Sequence, residues 1–591
     1  MQKKTLLNFP QDIINSCEFV LGEKFLLKLN KSDNDSVYRI ANRYNFSLPV
    51  ARVLQSRGFE SDEEIQSYLF SSFERDVAHP SKLKGAELAV ERILQAISKE
   101  ENILIFGDYD VDGITSTSLL LSCLLPLGAK LNYFLPDRKK DGYGLSSKIV
   151  KRAAESGYKL IITVDNGITA HVPARDAAKN GIDLIITDHH KPHGGLPIAH
   201  SIVNPNQDDC SYPYKHLAGV GVIFKIVSLI YEKKGLSLPQ KAYELLMLGT
   251  VADVMPLTGE NRFWVRDGLS KVNKQRSYAL SVLAKNSSLT KNRLNSLDIG
   301  FMIAPQINAL GRLSNSRDAV KFLISSNRDE VENVGRVLFE MNEARKKVER
   351  QIYDDIVFAI ENKKINLDKE NIIVAAGTKW PPGVVGLVAG KLMNNYGRPS
   401  FIFHLLDDGI LKGSCRSIPE FNVFNALHEN EDLLISFGGH SCAAGLALKQ
   451  ENLPELKQRL EERIASELTP YELQQKISLD AELELCEMNT QLVSDLEKLE
   501  PFGSQNKQPA FLIRNVSLLK KPCLLKDKHV KCTLFSQGTI KQAIFFNRPD
   551  LYELLDNIGD KSFDVAGNIS TNEWGGRVSI ELFGIDIALK D

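Results

Sequence analysis

The chain has 591 residues, 43% hydrophobic and 25% charged, with a net charge of −1; it is too long for one core, too apolar for general disorder, and carries no global basic signal for nucleic acid. An acidic metal site can cancel a basic groove elsewhere, so the balance of charge does not exclude such a partner. Eight scattered cysteines without Cys-x-x-Cys spacing exclude zinc ribbons and a disulfide framework, and no stretch reaches the ~18 apolar residues of a membrane span, so a cytoplasmic protein with no membrane partner is expected.

Residues 1–37 are mixed and end in a polar run at 31–36 that reads as a linker. A helical preface follows over 38–84, with Leu48, Val50, Val53 and Leu54, then Ile65, Tyr68 and Leu69 after a turn at Arg57-Gly58. An amphipathic helix over 86–97 leads to the apolar run Ile103-Leu104-Ile105, which has strand length and is closed by Gly107. Next comes Asp108-Tyr109-Asp110-Val111-Asp112-Gly113, three carboxylates within five residues, and then the first turns of a helix. Carboxylates this close repel one another, and a hard divalent cation with oxygen ligands removes the conflict; a solvated acidic turn is the plain alternative. A calcium EF-hand is excluded, because its twelfth position is Leu119 where a bidentate Glu is needed, and a strand precedes the loop.

The pattern then alternates strand, loop and helix. Strands at 130–135, 160–164 and 184–187 end at Pro136-Asp137-Arg138, Asp165-Asn166-Gly167 and Asp188-His189-His190. Continuous apolar strands with helices between them predict a parallel α/β sheet, whose ligands collect beyond the carboxyl ends of the strands. Further helices are predicted around 244–253 and 305–313, and one long, charge-rich connecting helix over 326–361. A second α/β unit starts at 371 and runs to about 466. Short alternating segments from 470 to 591 predict a small all-β barrel. Asp253 closes an otherwise apolar helix end and calls for a partner.

Asp108, Asp110, Asp112, Asp165, His189 and Asp253 supply enough ligands for two metals with a shared carboxylate, a recurrent solution for phosphoester hydrolysis. Singly each has an ordinary reading: Asp165 as a turn residue or helix cap, the His pair as structural. Taken in order, the acidic loop, Val164-Asp165-Asn166-Gly167, Thr187-Asp188-His189-His190 and Ala252-Asp253 resemble the four motifs of the DHH phosphoesterase superfamily, with no motif position substituted. The resemblance implies that those six residues hold two divalent ions, Mn²⁺ or Mg²⁺, that His190 contacts the substrate phosphate and that Asp188 orients its neighbours. Gly438-Gly439-His440 resembles the hallmark of the associated DHHA1 domain, although a hairpin turn would use the same residues. In Gly413-Ser414-Cys415-Arg416-Ser417, a hydroxyl and a guanidinium on alternate positions suit a terminal phosphate, or form an exposed strand edge.

The whole layout from about Arg39 onward is similar to the single-strand-specific 5′→3′ DNA exonucleases of that superfamily. The more specific signs are Leu135-Pro136-Asp137-Arg138 with Gly142-Tyr143-Gly144, the run His216-Leu217-Ala218-Gly219-Val220-Gly221, the run 305–312, and Glu500-Pro501-Phe502-Gly503, read as opening the last domain. This likeness implies a DHH catalytic domain (85–325), a connecting helix (326–365), a DHHA1 domain (366–466) and a C-terminal OB-fold barrel (470–591). It further implies that Asn308 and Arg312 hold the scissile phosphate region, that Arg138, Ser414 and Arg416 receive a 5′ phosphate, and that the barrel tracks single-stranded DNA. A single-strand-binding protein is an expected partner and a monomer the expected state. Residues 519–531 supply six positive or titratable groups against one Asp, and Phe535, Phe545, Phe546 and Trp574 are aromatics nearby, each equally suited to a barrel core. The rival readings are a DHH phosphodiesterase of short oligonucleotides or cyclic dinucleotides, and a catalytically silent replication scaffold.

Overall fold

A computed structural model describes residues 17–137, 142, 144–289, 291–313, 316–574 and 577–590, with only the backbone described for Arg312, Leu313, Glu573, Trp574 and Arg577. The chain forms two compact units, one of Met1–Ile65, Lys346–Lys498 and Gln508–Asp591, the other of Gln66–Arg345 and Leu499–Lys507.

At the start of the first unit, β1 (Cys17–Leu21) and β2 (Leu26–Asn30) form an antiparallel hairpin where the sequence reads as mixed chain. The Asp586 carboxylate closes its turn, accepting from the amides of Lys24 and Phe25 at 2.9 and 2.8 Å. The polar run after it is not a linker: the Asp33 side chain accepts from the Ser36 amide and caps the helix Asn34–Tyr44.

The second unit is built on five parallel strands, β3 (Asn102–Gly107), β4 (Lys130–Phe134), β5 (Leu160–Val164), β6 (Asp183–Thr187) and β7 (Ser201–Val203), in the order β4-β3-β5-β6-β7. All five residues of β5 are buried, as strands covered on both faces require. Register places Gly107 beside Val164 and Val164 beside Thr187. The next residues, Asp108, Asp165 and Asp188, therefore leave the sheet along one edge. Behind that edge lies the almost wholly buried helix Val111–Leu124, whose Thr115 and Ser118 hydroxyls donate to carbonyls one turn back. The helix Gln240–Ala252 packs on it so closely that a β-carbon on Gly249 would clash with Thr115 Oγ1.

A 34-residue helix, Arg328–Glu361, carries the chain onward, and the boundary between the units falls inside it. The DHHA1-like part of the first unit is a mixed sheet of β8 (Ile373–Gly377), β9 (Ser400–Leu405), β10 (Ile410–Arg416), β11 (Leu434–His440) and β12 (Ala443–Lys449), in the order β11-β12-β10-β9-β8. Only β8 and β9 run parallel in it. β13 (Lys476–Leu479) then pairs in parallel with β2, so the N-terminal hairpin is completed by chain some 450 positions later. β14 (Ala481–Glu482) flanks a closed five-stranded barrel of β15 (Ala510–Leu525), β16 (His529–Ser536), β17 (Thr539–Phe545), β18 (Phe563–Trp574) and β19 (Arg577–Leu589), closure coming from the β15–β18 pairing.

The block Glu500–Gly503 does not open this barrel. Leu499–Lys507 folds with the second unit, where the buried Asn506 amide donates to the carbonyls of Leu499 and Pro501 at 3.0 and 2.8 Å. The buried Arg262 guanidinium donates to Leu499 O and Tyr68 O, at 3.0 and 2.8 Å.

Candidate metal centre

The acidic loop is shaped by its own carboxylates. Asp110 caps the helix Val111–Leu124, its Oδ1 accepting from the amides of Asp112 (3.0 Å) and Gly113 (3.2 Å). A β-carbon at Gly113 would lie 2.5 Å from the Asp108 carbonyl, so the loop and helix can approach only at glycine. Asp112 faces the other way: its two oxygens accept from Gly219 N (2.6 Å) and Val220 N (2.8 Å), at the start of the helix Gly219–Lys233. Two amides and a helix N-terminus thereby hold a buried carboxylate in one orientation.

His189 is the hub. Its Nε2 lies 3.1 Å from Asp165 Oδ1, 3.5 Å from Asp253 Oδ2 and 3.8 Å from Asp112 Oδ2. Asp108, Asp110 and Asp165 form a second group of converging oxygens, so Asp165 belongs to both constellations. Asp165 takes a left-handed backbone, φ +62°, which turns its side chain out of the strand end. Asp188 points elsewhere. Its Oδ1 accepts from the amides of His189 (2.7 Å) and His190 (3.1 Å) and lies 2.7 Å from His190 Nδ1, while Oδ2 accepts from Ile168 N at 3.0 Å.

Electrostatics separate these groups. Burial first, and then the neighbouring carboxylates, push Asp165 and Asp253 well above the usual carboxylate range. Burial and the Asp110 charge raise Asp112 to about 7 against the pull of the two amides. Burial and the neighbouring His190 hold His189 down to about 4, which leaves a neutral imidazole suited to metal ligation. His190 goes the other way: burial opposes its charge, but the Asp188 hydrogen bond prevails and raises it to about 9. That same bond keeps Asp188 low in spite of burial. Asp165 Oδ1 and Asp253 Oδ2 are buried without a hydrogen-bond partner. Buried carboxylate oxygens left in this state are ones a divalent cation would satisfy, and the O-rich donor set with one imidazole fits Mn²⁺ or Mg²⁺.

Of the residues singled out from sequence, Asp108, Asp110, Asp112, Asp165, His189 and Asp253 meet here, with Asp188 and His190 beside them. Asn308 is present too, and its Oδ1 accepts from Val111 N at 3.1 Å, fastening the acidic loop. Arg138 and the Arg312 side chain lie outside the described residues. Ser414 and Arg416 sit on one face of β10 in the first unit, Arg416 Nη1 donating to Ser414 Oγ at 3.2 Å and to Cys415 O at 2.8 Å. Gly438, Gly439 and His440 end β11 on its exposed side, Gly439 at φ +151° against the Ala443–Ala444 backbone. In the barrel Phe545 is core, while Phe535 and Phe546 are 36% and 47% exposed; Trp574's side chain is not among those described.

Sequence reasoning did not find the amides of Gly219 and Val220, nor Asn204 and Asn206, which donate to the carbonyls of His190 (2.9 Å) and His189 (2.6 Å). Main-chain donors carry no side-chain signature; the only hint was a glycine opening a helix.

Comparison with known proteins agrees with this arrangement. The DHH family N-terminal domain matches residues 102–250, the DHHA1 domain 369–466 and the RecJ OB domain 479–586. The single-stranded-DNA-specific exonuclease RecJ of Bacillus subtilis is 35% identical over 574 residues, which cover 97% of this chain and 72% of that protein. RecJ of Escherichia coli is 32% identical over 555 residues, covering 90% and 94%. The crystal structure of RecJ from Thermus thermophilus in complex with Mn²⁺ matches with a TM-score of 0.80 at 27% identity, over 96% of this chain and 80% of that one.

Proposed function

The chain belongs to the RecJ family of single-stranded-DNA-specific exonucleases, and we propose that it degrades single-stranded DNA from the 5′ end at the centre formed by Asp108, Asp110, Asp112, Asp165, His189 and Asp253. It is a metal-dependent hydrolase of phosphodiester bonds, working with Mn²⁺ or Mg²⁺ in DNA repair and recombination. The observation that carries the residue assignment is the convergence of these ligands on one sheet edge, with buried oxygens of Asp165 and Asp253 left unsatisfied.

Asp108, Asp110, Asp112, Asp165, His189 and Asp253 would hold two divalent ions, which would supply a water of lowered pKa and positive charge beside the phosphate. The chain's own groups do the rest. Asp110 and Asp112 are fixed by main-chain amides and need no reorganisation when the substrate arrives. His190, kept cationic by Asp188, turns a charged N–H toward the non-bridging oxygens where negative charge grows. Asn308 holds the acidic loop in register, and Arg312, one helical turn further on, is assigned to the same phosphate. Ser414 and Arg416 are assigned to the 5′ phosphate, their fork supporting a choice of strand polarity.

The test is digestion with Mn²⁺ of a long single strand labelled at either end, beside its duplex and a pentanucleotide. Stepwise loss from the 5′ end of the long strand, with duplex spared, is expected. Cleavage confined to the pentanucleotide would replace this reading with a short-oligonucleotide phosphodiesterase.

A further inference from the structure

The segment 216–220 reaches three of the six ligands of the centre. Gly219 and Val220 hold Asp112 through their amides. The Leu217 backbone faces His189, and Gly219 stands against Asp165. Asp253 lies on a different segment, at the end of the helix Gln240–Ala252, followed by Val254 in a left-handed conformation, φ +55°. That exit is a Schellman turn, Val254 N donating to Val251 O at 3.2 Å and Met255 N to Thr250 O at 3.3 Å, and beyond Met255 the chain depends on outside partners. Tyr214 provides one set, its hydroxyl lying 3.2 Å from Pro256 O and 2.9 Å from Thr258 O. A second side chain ties this turn directly to the segment 216–220. Asn261, 2% exposed, donates through a single Nδ2 to His216 O at 2.6 Å and to Pro256 O at 3.1 Å.

We infer that Asn261 is a positioning residue for the metal centre, setting the distance between the loop of Asp253 and the segment that holds Asp112 and His189. It lies outside every motif that supplies a ligand, in the first turn of the helix Gly259–Lys274. Its two acceptors each sit three positions from a residue of the centre: His216 before Gly219, Pro256 after Asp253. Without the amide, His216 O loses its donor and Pro256 O keeps only Tyr214, so the Asp253 loop is held less firmly against the segment of Asp112. Carboxylates that must share ions tolerate little such movement, and loss of an outer partner costs metal sites ~10–100-fold in affinity or activity.

This inference rests on Asp112 and Asp253 being metal ligands, and the experiment separates the two claims. Mn²⁺ binding is measured by calorimetry on the full chain for wild type, Asp253→Asn, Asn261→Ala and Asn261→Ser, with thermal melts and steady-state kinetics alongside. Asn261→Ala is expected to weaken Mn²⁺ binding at least tenfold and to lower kcat, with KM for single-stranded DNA within twofold and kcat recovered at high Mn²⁺. Asn261→Ser, which keeps one short donor, falls between. Wild-type Mn²⁺ affinity in both Asn261 variants, with Asp253→Asn impaired, would overturn the positioning role alone. Unimpaired binding by Asp253→Asn would overturn the ligand assignment beneath it. If neither Asn261 variant melts cooperatively, the residue serves the fold rather than the centre, and the inference falls.

Discussion

Gly219 has no room for a side chain because of Asp165: a β-carbon there would lie 2.7 Å from Asp165 Cβ and 3.0 Å from its Cα. The amide that holds Asp112 and the backbone that presents Asp165 are thus in van der Waals contact, and one glycine sets the spacing of two carboxylates. Gly219→Ala forces a shift of backbone rather than of a flexible tip. Overpacking of this kind costs ~1–3 kcal/mol. The variant is expected to fold with a lowered melting temperature and to lose at least tenfold in kcat. Near-wild-type turnover would show that the ligands tolerate displacement.

Freed of metal, the centre should make the protein less stable as pH rises. Asp165 and Asp253 have raised pKa values and Asp112 stands at about 7, so the folded state keeps protons that the unfolded chain releases near 3.8. Their contribution is full below 3.8 and is lost as pH climbs through the folded values. His190 acts in the same sense, with full contribution below 6.5 and loss through about 9, while His189, lowered to about 4, opposes them only between about 4 and 6.5. In chelator the melting temperature is expected to fall from pH 5.5 to 8, more steeply in wild type than in Asp165→Asn, and Mn²⁺ should remove the difference. A flat wild-type profile in chelator would contradict the raised pKa values that burial and the neighbouring carboxylates give the cluster.

Asp188→Asn keeps the shape but removes the charge that holds His190 protonated. The alkaline limb of the kcat profile is expected to move to lower pH, with turnover down ~10–100-fold, the usual effect of losing an outer-sphere partner. An unmoved limb would remove the His190 cation from the reaction.

Arg416 is assigned to a phosphate, and Arg416→Ala tests it by comparing 5′-phosphorylated with 5′-hydroxyl strands. A charge-assisted hydrogen bond is worth ~1.5–3 kcal/mol, roughly 10–100-fold. KM should rise by that factor for the phosphorylated strand and stay level for the hydroxyl strand. Equal losses on both would reassign Arg416 to the fold of β10.

Lys520, Lys526 and Lys528 lie exposed on the barrel strands and the turn between them. If they follow a single strand's backbone, replacing all three with Ala should reduce the slope of log affinity against log salt by about 2, at ~0.7 per phosphate contact. Pentanucleotide hydrolysis should not change. An unaltered slope would place the strand on another face of the barrel.

The sequence was most readable where structure is local. The run Ile103–Ile105, Gly107 and three aspartates spell a strand, a stop and a capped helix within about a dozen residues, and the sheet edge followed from two more such runs. The N-terminal hairpin was unreadable because β2 is completed by Lys476–Leu479, a pairing with no trace in local periodicity. Arg262, one of the largest fully buried side chains, has no signature in the sequence, since its partners are carbonyls of Tyr68 and Leu499 that any residue could supply. Phe545 and Phe546 are adjacent in sequence, one core and one exposed, because β17 ends at Phe545 and Phe546 lies in the turn that follows.

The return of Leu499–Lys507 to the catalytic unit also sets a schedule for biosynthesis. Every ligand of the metal centre has been polymerised by Asp253, and the body of that unit by Arg345, yet Arg262 and Tyr68 must wait for Leu499 and Asn506 to leave the ribosome. From residue 345 to residue 507 is ~160 residues, or about 10–30 s at bacterial elongation rates. During that interval a buried guanidinium has no acceptor from its later partner. The nascent chain therefore cannot finish its catalytic unit until most of the other unit's second segment, Lys346–Lys498, has been made.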